Sequence, residues 1–181
     1  ICKNAFFFFF YVAKRFTPPG TLITSLYFEN YDRDVYRTGE SRLAEDTTIE
    51  YPVANVPTEI LSFEKLADIW DKISLSDNEQ LVIEALKLIE PKVERLNFIK
   101  NVHNSQRTAI VKLSGSKDPI PLKNLGEGML RVLQLILSLL QVTAGGFLLI
   151  DEFENGLHYS VQPKVWTLIF QLAQQFQVQV F

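Results

Sequence analysis

The 181 residues carry 18 Lys plus Arg against 21 Asp plus Glu, a formal charge of −3. That balance excludes the basic footprint that nucleic acid or an anionic membrane surface attracts. With 47% apolar and 22% charged residues the composition is globular, and the length fits one domain. One cysteine, Cys2, excludes an internal disulfide framework and a multi-cysteine zinc site, and fits a reducing, cytoplasmic compartment. Two histidines, His103 and His158, leave little material for a His-rich metal centre.

Residues 1–60 carry the weakest signals. Ala5 to Ala13 is an apolar run with five consecutive phenylalanines, Phe6 to Phe10. It is far short of the roughly 20 residues a bilayer span needs, and it lacks the basic start and small-residue cleavage site of a signal peptide. A buried strand, or a stretch outside the natural fold, is the expectation. Thr17-Pro18-Pro19-Gly20 reads as a turn. Beyond the short apolar runs Leu22-Ile23 and Leu26-Tyr27-Phe28, Arg33, Arg37 and Arg42 interleave with Asp32, Asp34, Glu40 and Glu45 in a stretch that reads as a solvated loop.

Residues 61–121 read as a helical and hairpin region. Ser62 is placed to cap a helix over Phe63 to Ile73, with Leu66, Ile69, Trp70 and Ile73 at helical spacing. Ser76-Asp77-Asn78-Glu79 has the form of a capping box. Behind it Val82, Ala85, Leu86 and Ile89 make one stripe that Pro91 ends. Glu94 to Lys100 and Thr108 to Leu113 alternate as paired strands joined by a loop over residues 101–107.

Residues 122–181 have the strongest pattern. Glu127 to Thr143 predicts a helix apolar nearly all round, which must be buried in a core or in lipid. Arg131, Gln134, Gln141 and the Gly145-Gly146 pair speak against a membrane span. Phe147-Leu148-Leu149-Ile150 has the wholly apolar character of a central parallel strand. Ser160 is expected to cap a last helix with Pro163 in its first turn and Val165, Ile169, Leu172 and Phe176 inward. The alternation of Gln177 to Phe181 then completes a βαβ unit. With Ile1 at one end and a strand at the other, the chain reads as a fragment of something longer.

Three features carry chemistry. Ile150 delivers Asp151 and Glu152 to the carboxyl edge of a sheet, where open α/β sheets bind ligands. Asp151 there suits Mg²⁺, and Glu152, displaced by one residue, suits the orientation or deprotonation of a water. A strand end with solvated acids has the same sequence. Asn124-Leu125-Gly126-Glu127-Gly128 precedes the long helix, so its glycines let backbone approach an anion at a helix N-terminus; a ligand-free helix start fits equally well. Arg131, a turn inside, is available to an acid or a phosphate. Phe153-Glu154-Asn155-Gly156-Leu157-His158 puts a polar turn beside the acids, with His158 read as a turn or surface residue rather than a ligand.

In this order, with a buried helix between the first two, the three features resemble the ATP-binding-cassette-type ATPases. The likeness is strongest to their soluble AAA-type branch related to the overcoming-lysogenisation-defect and SMC-like proteins. It rests on residues 122–181 and more weakly on 61–121. It implies an α/β fold: part of a P-loop NTPase sheet with flanking helices and a helical and β-hairpin insert before the signature motif. It further implies that Asp151 holds Mg²⁺ through water and that Glu152 is the catalytic base. Asn124, Gly126, Glu127 and Gly128 would then contact the γ-phosphate of ATP held by a second subunit, and Glu154, Asn155 and Gly156 would line the interface of a homodimer closed around ATP.

The sequence departs from that family in having Asn124 where serine is usual. More consequentially, no Gly-x-x-x-x-Gly-Lys-Ser/Thr phosphate cradle occurs anywhere in the chain, and the switch histidine that family places just past the last strand does not occur before Phe181. The expectation is the C-terminal part of a Mg²⁺-dependent ATPase that by itself does not hydrolyse ATP. The alternative is a non-catalytic interaction module kept from a degenerate ATPase. A metal-dependent nuclease built on Asp151 and Glu152 is the weakest reading, since no further acid cluster or basic surface accompanies them. Nucleic acid enters only through a longer parent protein.

Overall fold

The computed structural model describes residues 52–100, 106–142 and 144–181, which fall in the unit Pro52–Phe181. The apolar run Ala5 to Ala13, the Pro18-Pro19-Gly20 turn, the runs at 22–28, the charged stretch 29–50 and most of the 101–107 loop lie outside the described residues.

Two sheets organise the unit. In the first, β5 (Phe147–Ile150) is the centre strand, between β1 (Val53–Val56) and β6 (Gln179–Val180), all parallel. Val53 stands opposite Phe147 and Val56 opposite Ile150, while Leu148 pairs with Val180 on the other side. A centre strand meets other chain on both faces, which is why β5 has no polar residue. Helix α4 (Gln162–Phe176) connects β5 to β6 and buries Val165, Ile169, Leu172 and Ala173, completing the expected βαβ unit. Strand β1 carries no local sequence signal: Val53–Val56 is only four residues long and is followed by Pro57, too little for a period-2 pattern to register.

The second sheet is antiparallel, in the order β2 (Val93–Lys100), β3 (Arg107–Leu113), β4 (Ile120–Pro121). Its register runs from Val93 opposite Leu113 to Lys100 opposite Arg107, with an irregularity between Val93 and Arg95. Arg107, expected in the loop, begins β3 instead. Its guanidinium binds both carboxylate oxygens of Asp71 at 2.7 and 2.8 Å, tying the strand to helix α1 (Phe63–Ile73). On the inner face Trp70 of α1 meets Phe98 of β2 with ring centroids 6.4 Å apart.

Local sequence sets the helix starts with one change from expectation and one reversal. Ser62 caps α1, its hydroxyl accepting from the Lys65 amide at 3.3 Å. At α2 (Asp77–Lys87) the Ser76 hydroxyl accepts from Asn78, not from Glu79, and Glu79 reaches one residue further back, to the Leu75 amide at 2.8 Å. Leu75 has φ 65°, and that left-handed turn is what brings its amide within reach. Ser160 does not cap α4. Val161 occupies the cap position without a side-chain bond, and the Ser160 hydroxyl lies 2.8 Å from His158 Nδ1.

Helix α3 (Glu127–Gln141) is the core of the unit. Met129, Val132, Leu133, Leu135, Ile136, Leu137 and Leu139 are all inaccessible to solvent. The helix is enclosed by α1, α2, α4 and β1, which explains why its sequence is apolar all round: the burial is by protein. Each such side chain contributes about 1.5–3 kcal/mol by leaving water. Among the described residues no helix is long and apolar enough to cross a membrane.

Candidate functional site

The end of β5 carries the acid pair. The Asp151 amide still bonds the Val56 carbonyl at 2.9 Å, so Asp151 is fixed to β1 by the sheet itself. The next residue leaves the strand: Glu152 has φ 45°, a left-handed conformation that costs a non-glycine residue roughly 1–2 kcal/mol. The turn that follows is closed by the Asn155 amide on the Glu152 carbonyl at 3.0 Å and the Leu157 amide on the Glu154 carbonyl at 2.9 Å. Phe153 and Leu157 point inward and anchor it, Phe153 stacking on Trp166 of α4 at 3.7 Å. Asp151, Glu152, Glu154 and Asn155 are left exposed on the outer side.

The segment after β1 lies against this turn. The Thr58 hydroxyl donates to Asp151 Oδ2 at 3.1 Å, and Asn155 Nδ2 donates to the Thr58 carbonyl at 3.1 Å. Sequence reading missed Thr58 because nothing local distinguishes it; only the parallel pairing of β1 with β5 brings it to the acids. Asp151 carboxylate and Thr58 hydroxyl are hard oxygen donors, the type Mg²⁺ takes. Mg²⁺ asks for only one or two protein carboxylates and leaves its other positions to water and phosphate. The residues present fit that ion. Among the described residues no group of three or more His, Cys, Asp or Glu is gathered for a metal, so a self-sufficient protein cage is not what this edge offers.

The glycine-rich turn forms the start of α3. A short 3₁₀ turn, Leu122–Leu125, is held by buried Leu122 and leaves Asn124 exposed. Gly126 has φ 99° and caps α3 with no side-chain hydrogen bond; the Met129 amide bonds the Gly126 carbonyl at 3.3 Å. Glu127 is exposed in the first turn. Gly128 has a structural task inside the chain: a β-carbon there would lie 3.0 Å from the Gly156 carbonyl oxygen. The two turns picked out in the sequence are therefore packed backbone to backbone.

Among the described residues Arg131 pairs with main chain rather than with an acid side chain. It is inaccessible to solvent and donates to three backbone carbonyls, Pro57 at 2.5 Å and Asp151 and Glu152 at 2.6 and 2.7 Å. Burial pushes its pKa down, while the nearby charges of Asp151, Glu152 and Glu154 act in the opposite sense. His158 is exposed, beside Ser160 and the ring of Tyr159, as a turn residue should be.

Comparison with known proteins places the chain. Residues 11–181 match the family model described as "AAA domain, putative AbiEii toxin, Type IV TA system". No curated protein matches. Among solved structures the chain is similar to a protein from Pyrococcus furiosus described as a putative ABC transporter (ATP-binding protein), at 17% identity and a TM-score of 0.43, over 74% of this chain and 57% of that one. It is also similar to the Smc head domain from Pyrococcus furiosus, solved with an extended coiled coil and bound to the C-terminal domain of ScpA. That match has 17% identity and a TM-score of 0.38, over 57% of this chain and 27% of that one. The chain thus spans little more than half of the first of these structures and about a quarter of the second. With the family model matching all but the first ten residues, this α/β chain belongs to that AAA-domain family.

Proposed function

We propose that the chain is the acid-pair and signature-turn part of an ATP-hydrolysing protein that works as a homodimer around ATP. One observation carries the reading: two exposed, adjacent carboxylates stand at the carboxyl end of the central parallel strand, the second turned out of the strand by a left-handed residue. In this reading Asp151 and Thr58 hold Mg²⁺ through water. The ion, when bound, supplies charge neutralisation on the phosphates. Glu152 orients a water and accepts its proton. Asn124, Gly126, Glu127 and Gly128 offer the open N-terminus of α3 to the phosphate of a nucleotide held by the second subunit. Glu154, Asn155 and Gly156 line the surface between the two subunits. A cytoplasmic location accords with a single cysteine and an ATP substrate. The phosphate cradle is assigned to sequence outside these 181 residues, so the piece taken by itself does not turn over ATP.

The test compares the full-length protein with its Glu152→Gln variant. Mg²⁺-dependent ATP hydrolysis is expected in the parent, falling by about a hundredfold or more in the variant, with Mg·ATP binding kept. Binding without hydrolysis in both would favour the second reading, an interaction module that retains the fold and the dimer surface. Absence of a Gly-x-x-x-x-Gly-Lys-Ser/Thr segment from the full coding sequence favours the same reading.

A further inference from the structure

Arg131 is a buried cation with no carboxylate among the described residues in hydrogen-bonding reach of its guanidinium, an expensive arrangement for a fold to maintain. Its hydrogen bonds go to main chain. Nη2 takes the carbonyls of Asp151 and Glu152 together, and Nη1 takes that of Pro57. Two successive carbonyls converge on one nitrogen because Glu152 is left-handed, φ 45°. One turn along the same helix, Gln134 is equally inaccessible. Its Nε2 donates to the carbonyls of Pro57 and Glu59 at 3.3 and 3.1 Å, and its Oε1 accepts from the Leu61 amide at 3.3 Å. That straps residues 57–61 onto α3. Thr58, in the middle of the strap, is thereby set against Asp151 Oδ2, and Asn155 closes the circuit on the Thr58 carbonyl.

We infer that Arg131 is a positioning residue for the acid pair. By gripping the carbonyls of Asp151 and Glu152 it holds the left-handed turn that presents the Glu152 carboxylate, and with Gln134 it seats Thr58 beside Asp151. Arg131 touches neither nucleotide nor metal; it acts through the backbone of the residues that do. The inference rests on the ATPase reading for its catalytic consequence, while its structural content stands apart from it. A lysine has one nitrogen on a flexible stem and cannot span Pro57 and the Asp151–Glu152 turn at once, so the conservative change is informative.

The experiment uses the full-length protein with Arg131→Lys, Arg131→Gln and Glu152→Gln, read by steady-state ATPase kinetics and by hydrogen exchange. Both Arg131 variants are expected to lower kcat by about tenfold or more with KM within about threefold of the parent, the split that marks a loss confined to the transition state. Amides of 151–157 should exchange at least about tenfold faster, with the 133–141 part of α3 unchanged. A folded Arg131 variant with kcat near the parent's overturns the inference. So does exchange that quickens through α3 and the turn alike, with kcat and KM deteriorating together. If Glu152→Gln leaves turnover intact the ATPase reading fails, and the exchange of 151–157 alone then decides whether Arg131 holds the turn. Should both Arg131 variants fail to fold, Gln134→Met, of similar volume and uncharged, takes their place: reduced kcat at unchanged KM supports the strap, and unchanged kcat overturns it.

Discussion

Gly128, in the first turn of α3, faces the Gly156 carbonyl so closely that an added β-carbon would stand 3.0 Å from that oxygen. Gly156 returns the contact, since a β-carbon there would lie 3.2 Å from Glu127 Cγ. The glycine-rich turn and the turn after the acids are thus a single packed body. Gly128→Ala sets a helix-propensity gain of up to about 1 kcal/mol against an overpacking cost of about 1–3 kcal/mol on a backbone atom. The expected net is destabilisation of about 1 kcal/mol, read as a lower urea midpoint at unchanged m-value. A raised midpoint would mean the 154–157 turn yields freely.

Thr58 reaches the acid pair through one hydroxyl, donated to Asp151 Oδ2 at 3.1 Å. Thr58→Val keeps the shape and removes the donor at a half-buried position, so stability should move by less than about 1 kcal/mol. In the full-length protein the Mg²⁺ concentration needed for half-maximal turnover should rise by about three- to tenfold, and Thr58→Ser should restore it. Equal Mg²⁺ dependence in Thr58→Val and parent would remove Thr58 from the site.

Asp71 is held below its ordinary pKa, chiefly by its hydrogen bonds to Arg107; burial opposes this, and the charge of Arg107 adds to the lowering. A depressed carboxylate contributes stability above its unfolded pKa of about 3.9, and loses it as the pH falls through the folded value. Arg107 stays charged across that window. The parent should therefore be more stable than Asp71→Asn at pH 7, and the gap should close below about pH 4. The pair is exposed, so about 0.5 M salt should also narrow the gap at pH 7. Thermal melts of both proteins at pH 7 and pH 3 would check this; a gap of equal size at both would contradict it.

Leu148 is fully buried in β5, opposite Ala54 on one side and Val180 on the other. Leu148→Ala removes the filling of the central strand where neither neighbouring strand can move in without breaking its own pairing. A loss of about 2–5 kcal/mol is expected in chemical denaturation. A change under about 1 kcal/mol would mean that Leu148 is not packed at the centre of the parallel sheet.

Sequence by itself determined the elements whose cause is local. The Ser62 cap, the stripe of α1, the wholly apolar β5 between a buried helix and a paired acid, and the alternation of β2 and β3 each follow from the residues in place. Asp151 and Glu152 were legible for the same reason, since a strand that ends in two carboxylates must put them at the sheet edge. Tertiary structure decided what depends on residues far apart in the chain. β1 is too short to declare itself and exists because β5 offers it a parallel partner 94 residues on, Val53 against Phe147. Thr58 joins the acid pair only through that pairing. Arg131, open in sequence to an acid or a phosphate, became a clamp on three carbonyls because the end of β1 and the turn after β5 converge at its position on α3. Hydrogen-bond partners set by long-range convergence leave no periodicity or spacing in the chain, so only the folded backbone supplies them.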